Sequence, residues 1–299
     1  MRALWIINPS SGKQNAKTIL ERIIGKLTLK KICHEHDIYY TQKKNDAFNR
    51  ASILCENDYD FIVAVGGDGT INEVIGGIIK SNSHIPLAIL PAGTVNDFAT
   101  YLGLPRSCDS FFQMIENFQT KDVDVGKIGE EYFANVVAGG AFSDISFRVP
   151  KTKKARFGAL AYYIEGILAI PELFTSHQHL KIKADNQYFE EDSILFLISN
   201  TKSIGGITQL VTKANVDDGL FDVLIIRKCE VTDLIALSKD ILLSKHLDSP
   251  FLNYFQAKNI YIETNDANIH VDVDGEIGPQ FPIEIINIPQ ALKLLVPKK

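Results

Sequence analysis

The sequence lacks most of the features that would set it apart from an ordinary globular protein. Its four cysteines, Cys33, Cys55, Cys108 and Cys229, form no CxxC pair and no metal-ligand spacing. Thiols scattered in this way read as reduced groups of a cytosolic protein, which excludes a disulfide framework. Long hydrophobic runs are also missing. The opening segment has only the apolar stretch Ala3–Ile7 before Asn8-Pro9, too short for a signal-peptide core, and the most apolar longer stretch, 158–170, is interrupted by Glu165. No membrane span is expected, and the expected location is cytoplasmic. There is no basic excess: the formal net charge of -5 argues against a dedicated nucleic-acid binder, while leaving room for a local basic patch. Histidine supplies no ligand spacing, and His177 and His179 read as one exposed face of a strand. What remains, 45% hydrophobic and 22% charged residues over 299 positions, is the balance of a folded chain with room for two cores.

The two halves differ in pattern. Up to about residue 125, strand-like and helix-like segments alternate. Strands are expected at Ala3–Ile7, His36–Tyr40, Phe61–Val65 and Leu87–Leu90, with helices near 15–27, 47–55 and 71–79. Strands separated by helices need crossover connections, so a parallel sheet with helices on its faces follows, a Rossmann-like α/β domain. Beyond Asp122, period-two alternation dominates, at Leu180–Ala184, Ile194–Ile198, Leu220–Ile226, Ile260–Ile262 and His270–Val273. Two helices, near 158–170 and 231–243, interrupt it. The expectation is an α/β domain over 1–125 and a mainly antiparallel β-sandwich over 126–290, with 291–299 able to pack back onto the first.

Three loops follow expected strands of the first half: Asn8-Pro9-Ser10-Ser11-Gly12, Gly66-Gly67-Asp68-Gly69-Thr70 and Pro91-Ala92-Gly93-Thr94-Val95-Asn96-Asp97-Phe98. In a parallel sheet all three emerge at the carboxyl edge, where ligands bind. Glycine lets the backbone approach phosphate oxygens, and the helix expected to begin near Thr70 or Ile71 would point free N–H groups at them. A lone Gly-Gly is an ordinary turn; three small-residue loops on one edge favour phosphate. Neither the P-loop pattern nor GxGxxG is present.

GGDGT at 66–70 followed by Ile-Asn-Glu, together with PAGTVNDFA at 91–99, resembles the diacylglycerol kinase catalytic domain family, which includes bacterial diacylglycerol kinases and sphingosine kinases. The opening NPSSG and the late DVDGE at 272–276 fit the same family. The GGDG element alone is shared with NAD kinases and phosphofructokinases, from which the PAGTVNDFA segment separates this chain. The resemblance implies a phosphofructokinase-like nucleotide domain and a β-sandwich lipid domain. It also implies ATP and Mg²⁺, with a lipid alcohol such as diacylglycerol as phosphoryl acceptor. Carried onto matching positions, it assigns ATP contacts to Asn8, Pro9, Ser10, Ser11, Gly12, Thr41, Gly66, Gly67, Asp68, Gly69, Thr70, Asn72, Glu73, Thr94 and Asn96.

Phosphoryl transfer needs charge neutralisation and an acceptor for the hydroxyl proton. The sequence offers Asp68, Asp97, Asp124 and the turn Asp274-Gly275-Glu276, and chemistry by itself does not rank Asp274 against Glu276. The resemblance selects Glu276 as the proton acceptor and places Asp274, Asp68, Asp97 and Asp124 in a magnesium and water network. A second hard-cation site is suggested by Asn215-Val216-Asp217-Asp218-Gly219-Leu220, since a tight turn presents carboxylate and carbonyl oxygens together. There the resemblance implies a structural Mg²⁺ on Asp218 with the carbonyls of Asn215 and Leu220. The same sequence is also a plain β-turn.

The run Lys151-Thr152-Lys153-Lys154-Ala155-Arg156, beside Phe157 and Leu160, suits either a solvated loop or transient contact with an anionic membrane surface. The second reading would make the protein peripheral at the inner membrane face. No nucleic-acid partner is expected, and a homodimer is left open. Two other functions compete: a kinase acting on another acceptor (a sphingoid base, a prenol or NAD), and a non-catalytic lipid- or nucleotide-binding regulator. Retention of Asp68, Asp274 and Glu276 together argues against the regulator.

Overall fold

The computed structural model describes residues 1–11, 16–93, 95–140, 177–205, 207, 210–265 and 269–298. The expected helix at 158–170 and the basic run 151–156 lie outside them. The chain forms two compact units, one of Met1–Val125 with Pro289–Lys299 and the other of Gly126–Ile288.

The first unit begins as β1 (Arg2–Ile7), α1 (Ala16–Leu29), β2 (Glu35–Tyr40), α2 (Asp46–Ser52), β3 (Phe61–Gly66), α3 (Asp68–Ser81) and β4 (Leu87–Pro91). β2, β1, β3 and β4 lie side by side, all parallel. β3 and β4 are buried along their whole length, and β1 everywhere but at Arg2, which is why they read as unbroken apolar runs rather than alternating ones. α3 buries Ile71, Val74, Ile75 and Ile78, each contributing roughly 1.5–3 kcal/mol when fully removed from water. Gly77 lets it close on α2: a Cβ there would stand 2.5 Å from the Ala51 Cβ and 2.6 Å from the Phe48 carbonyl oxygen.

Two short helices follow, α4 (Asp97–Tyr101) and α5 (Cys108–Asn117). The Ser107 side chain caps α5 by accepting the Ser110 N–H, and Phe111, Phe112, Met114 and Ile115 form its buried face. β5 (Thr120–Ile128) then leads out of the unit. The unit is completed from the far end of the chain, where Leu294 pairs in parallel with Leu87 and the Val296 N–H donates to the Gln119 carbonyl.

The second unit contains β6 (Glu131–Phe133), β7 (Val136–Gly140), β8 (Gln178–Ala184), β9 (Gln187–Ser199), β10 (Phe221–Arg227), α6 (Val231–Leu242), β11 (Leu252–Ala257), β12 (Asn259–Thr264), β13 (His270–Val273), β14 (Glu276–Gln280) and the first part of β15 (Ile283–Leu295). Its strand pairs are antiparallel. β9 changes partners along its length: Gln187–Ser193 pair with β8, whereas Leu195–Ser199 lie between β7 and β10. Its even-numbered Phe196 and Ile198 enter a core with Leu180, Val223, Ile225, Ile260, Ile262 and Ile283. Its odd-numbered Leu195 and Leu197 face a second cluster with Leu224, Leu234, Leu237 and Ile241, the last three from α6. The strands thus sandwich one core while α6 covers the outside, giving an α/β unit followed by a β-sandwich.

Candidate active site

Because β1 to β4 are parallel, the segments that follow them share one edge of the sheet. The Asn8 side chain ties two of these segments together, accepting the Ser10 N–H at 2.9 Å and donating to the Thr70 hydroxyl at 3.0 Å. The Ser11 hydroxyl closes the first loop on the Asn8 carbonyl at 2.8 Å, with Pro9 and Ser10 exposed. Thr41 is buried and donates its N–H to the Ile7 carbonyl. Gly12 and Thr94 lie outside the described residues.

α3 starts earlier than the sequence pattern suggested, at Asp68 rather than near Thr70 or Ile71, so Gly67 is its N-cap and Asp68, Gly69 and Thr70 form its first turn. Gly67 has φ −89°, so its backbone does not require glycine. The tight positions are its neighbours. A Cβ on Gly66 would stand 2.5 Å from the Thr70 Cβ, and one on Gly93 would stand 2.7 Å from the Gly67 Cα. One on Gly67 meets only ordinary contact at 3.4 Å. The backbones of the second and third loops therefore touch at Gly67 and Gly93.

Asn96 holds the third loop in shape. It is fully buried at φ 52°, and its side chain accepts the Gly93 N–H at 3.1 Å and donates to the Gly93 carbonyl at 2.7 Å. Its own N–H donates to the Asp68 carboxylate at 2.9 Å. Burial pushes the Asp68 pKa up, and the charge of nearby Asp97 adds to the rise, against the backbone N–H groups of Asn96, Asp68 and Asp97 that favour the anion. Asp97 is buried at the start of α4. Glu73 is committed elsewhere: its two oxygens accept the N–H groups of Asn45 at 2.9 Å and Ala47 at 3.1 Å, capping α2. Asn72 is half-buried on the following turn. Asp124 is fully buried, and its carboxylate accepts the Gln290 N–H at 2.8 Å, where Gln290 has φ 52°.

In the second unit, Asp274 and Gly275 turn β13 into β14 with φ 51° and 88°, and the exposed Glu276 opens β14. The Asp274 carboxylate receives three backbone N–H groups, from Ala134 at 3.0 Å, Asn135 at 3.3 Å and Val136 at 2.6 Å. Asp272, buried on β13, accepts the Gly275 N–H at 2.8 Å. Sequence reasoning missed this donor set, since 138–140 residues separate the partners. The Asp272 contact had a local signal, an aspartate three residues before a turn glycine. At the other candidate turn, Asp218 accepts the Leu220 N–H at 3.0 Å, with Asn215 exposed. Among the described residues, no three His, Cys, Asp or Glu side chains converge on a metal position.

Two family models match the chain, the diacylglycerol kinase catalytic domain over residues 2–128 and the YegS C-terminal NAD kinase beta sandwich-like domain over 135–296. A diacylglycerol kinase of Staphylococcus epidermidis is 35% identical over 99% of this chain and 92% of that protein. One from Bacillus subtilis is 30% identical over 100% of this chain and 97% of that protein. The crystal structure of a diacylglycerol kinase from Bacillus anthracis superposes with a TM-score of 0.80 at 26% identity, covering 99% of this chain and 96% of that one. The chain belongs to the diacylglycerol kinase family of lipid kinases.

Proposed function

We propose that the chain transfers the γ-phosphoryl group of ATP to the hydroxyl of diacylglycerol, giving phosphatidic acid. The observation that carries this reading is the close approach of Gly67 and Gly93 at the carboxyl edge of a parallel sheet, beside the first turn of α3. Such an edge leaves backbone N–H groups and a helix dipole for phosphate oxygens. The family's name for its relatives supplies the acceptor.

In this reading Asn8 to Gly12, Thr41, Gly66 to Thr70, Asn72, Glu73, Thr94 and Asn96 form or support the nucleotide site. The contacts of Asn96 with Gly93, and of Glu73 with α2, favour a supporting role for these two. Asp68 and Asp97 suit Mg²⁺, because burial and the neighbouring Asp97 charge raise the cost of ionising Asp68 and a hard cation would relieve it. When bound, Mg²⁺ would neutralise phosphate charge. In the same reading Asp124, whose carboxylate accepts the Gln290 N–H, would support that set, and Asp218 with the carbonyls of Asn215 and Leu220 would hold a structural ion. Glu276 takes the proton of the acceptor hydroxyl. That oxygen then bonds to the γ-phosphorus as the bond to the β–γ bridging oxygen breaks and ADP departs. Access to the lipid would come from transient contact with the membrane surface.

A labelled-ATP screen over diacylglycerol, a sphingoid base, a polyprenol and NAD tests the proposal. Phosphate transfer to diacylglycerol, dependent on Mg²⁺, is the expected result. Transfer to another acceptor would reassign the substrate, and ATP binding without transfer to any acceptor would overturn the catalytic reading.

A further inference from the structure

The carboxylate two residues before Glu276 sits in a receiver built from backbone. Three consecutive N–H groups, those of Ala134, Asn135 and Val136, point at the Asp274 oxygens, and the Asp274 N–H returns a bond to the Val136 carbonyl at 3.0 Å. The receiver is itself braced from behind by a buried polar cluster. Asn135 donates from its amide to the Ser203 carbonyl at 2.9 Å and accepts from the Thr201 hydroxyl. Asn200 donates to the Ala134 carbonyl at 3.1 Å and, through its own N–H, to the Asn135 carbonyl at 2.8 Å. Asn135, Asn200 and Thr201 are all buried. A carboxylate bonded to N–H groups gains charge-assisted hydrogen bonds, and a braced receiver fixes where its chain segment runs.

We infer that Asp274 is a positioning residue, whose carboxylate clamps the β13–β14 turn to the 134–136 bend and thereby sets the place of Glu276. The inference rests on the reading of Glu276 as the proton acceptor. It differs from a role for Asp274 as a magnesium ligand in what the carboxylate is for, since three of its roughly four acceptor positions receive backbone donors. Glu276 pairs with Val273 directly after a two-residue turn in which both members have positive φ, so the clamp at Asp274 fixes the hairpin end that carries it. A displacement of about 1 Å at a reacting group costs on the order of 100-fold in rate.

Two variants disturb the clamp from different sides. Asp274→Asn turns one acceptor into a donor facing N–H groups. Gly275→Ala leaves the carboxylate intact and strains the turn at φ 88°, where a Cβ would meet nothing within 4 Å. Both should lower kcat about 10- to 100-fold while KM for ATP and the Mg²⁺ activation midpoint stay within about twofold of wild type. In Asp274→Asn, amide hydrogen exchange at Ala134, Asn135 and Val136 should accelerate. An Mg²⁺ midpoint raised tenfold or more with exchange at 134–136 unchanged would overturn the inference in favour of metal ligation. Full activity in Gly275→Ala would overturn it as well. Glu276→Gln, assayed in parallel, separates the two layers: turnover retained there would refute the proton-acceptor reading, whereas the exchange result tests the clamp without any turnover.

Discussion

Burial and the neighbouring Asp97 carboxylate both raise the Asp68 pKa, so keeping Asp68 ionised costs folding free energy. A carboxyl group with a raised folded pKa binds its proton more tightly in the folded state. Its contribution is most favourable in acid and is lost as pH climbs from the ordinary 3.8 through the raised value. Asp68→Asn removes the charge but keeps an oxygen for the Asn96 N–H. Its Tm at pH 7 should exceed that of wild type, because the buried charge is gone. The difference should shrink toward pH 4, and turnover should fall. A lower Tm at pH 7 would mean the charge is compensated in the protein itself. Glu276→Gln should behave differently, because the amide matches the carboxylate in size but cannot take a proton. Turnover should drop on the order of 10²–10⁴-fold with binding of an ATP analogue unchanged, and near-wild-type activity would refute its role.

Among the elements, the meeting of two loops makes glycine position matter more than glycine count. The sequence draws attention to Gly67 within GGDGT, yet its φ is ordinary and an added Cβ would sit at 3.4 Å from the nearest atom. Gly93 has no such room, since a Cβ there would stand 2.7 Å from the Gly67 Cα and 2.8 Å from the Asn96 amide oxygen. Gly93→Ala should therefore weaken ATP-analogue affinity and lower Tm clearly more than Gly67→Ala. Equilibrium titration and melting of the two variants decide it, and equal effects would show that the loops do not depend on their mutual contact. Elements with one strong local pattern were legible: the buried β1, β3 and β4, the helix on α6, and the alternating β8, β12 and β13. α5 was overlooked although Ser107 and the spacing of Phe111, Met114 and Ile115 announce it. β15 was legible only from Ala291 onward, because Pro289 and the left-handed Gln290 interrupt a strand of 13 residues. Roles set by distant partners were not legible at all. Nothing near Glu73 in sequence says that it caps α2, and nothing near Asp274 names the 134–136 amides.

At the scale of the whole chain, the first unit is assembled from both ends of the sequence. Leu292, Leu294 and Leu295 are at most 1% exposed, and Leu294 pairs with Leu87 beside β4. Asp124 fixes the same terminal segment at Gln290, and Gln119 receives the Val296 N–H. The loop that carries Gly93 and Asn96 leaves from β4, so the edge proposed to hold phosphate depends on residues about two hundred positions further along the chain. Leu294→Ala removes a fully buried side chain from this seam and should cost about 2–5 kcal/mol. The loss should be local to the first unit. Amide exchange should accelerate across β4 and β3 while β12 and the part of β15 paired with it keep their protection, and affinity for an ATP analogue should fall with the β4 amides. Uniform acceleration through both units would instead mean that the chain unfolds as one cooperative block, with its terminal strand holding the second unit as firmly as the first.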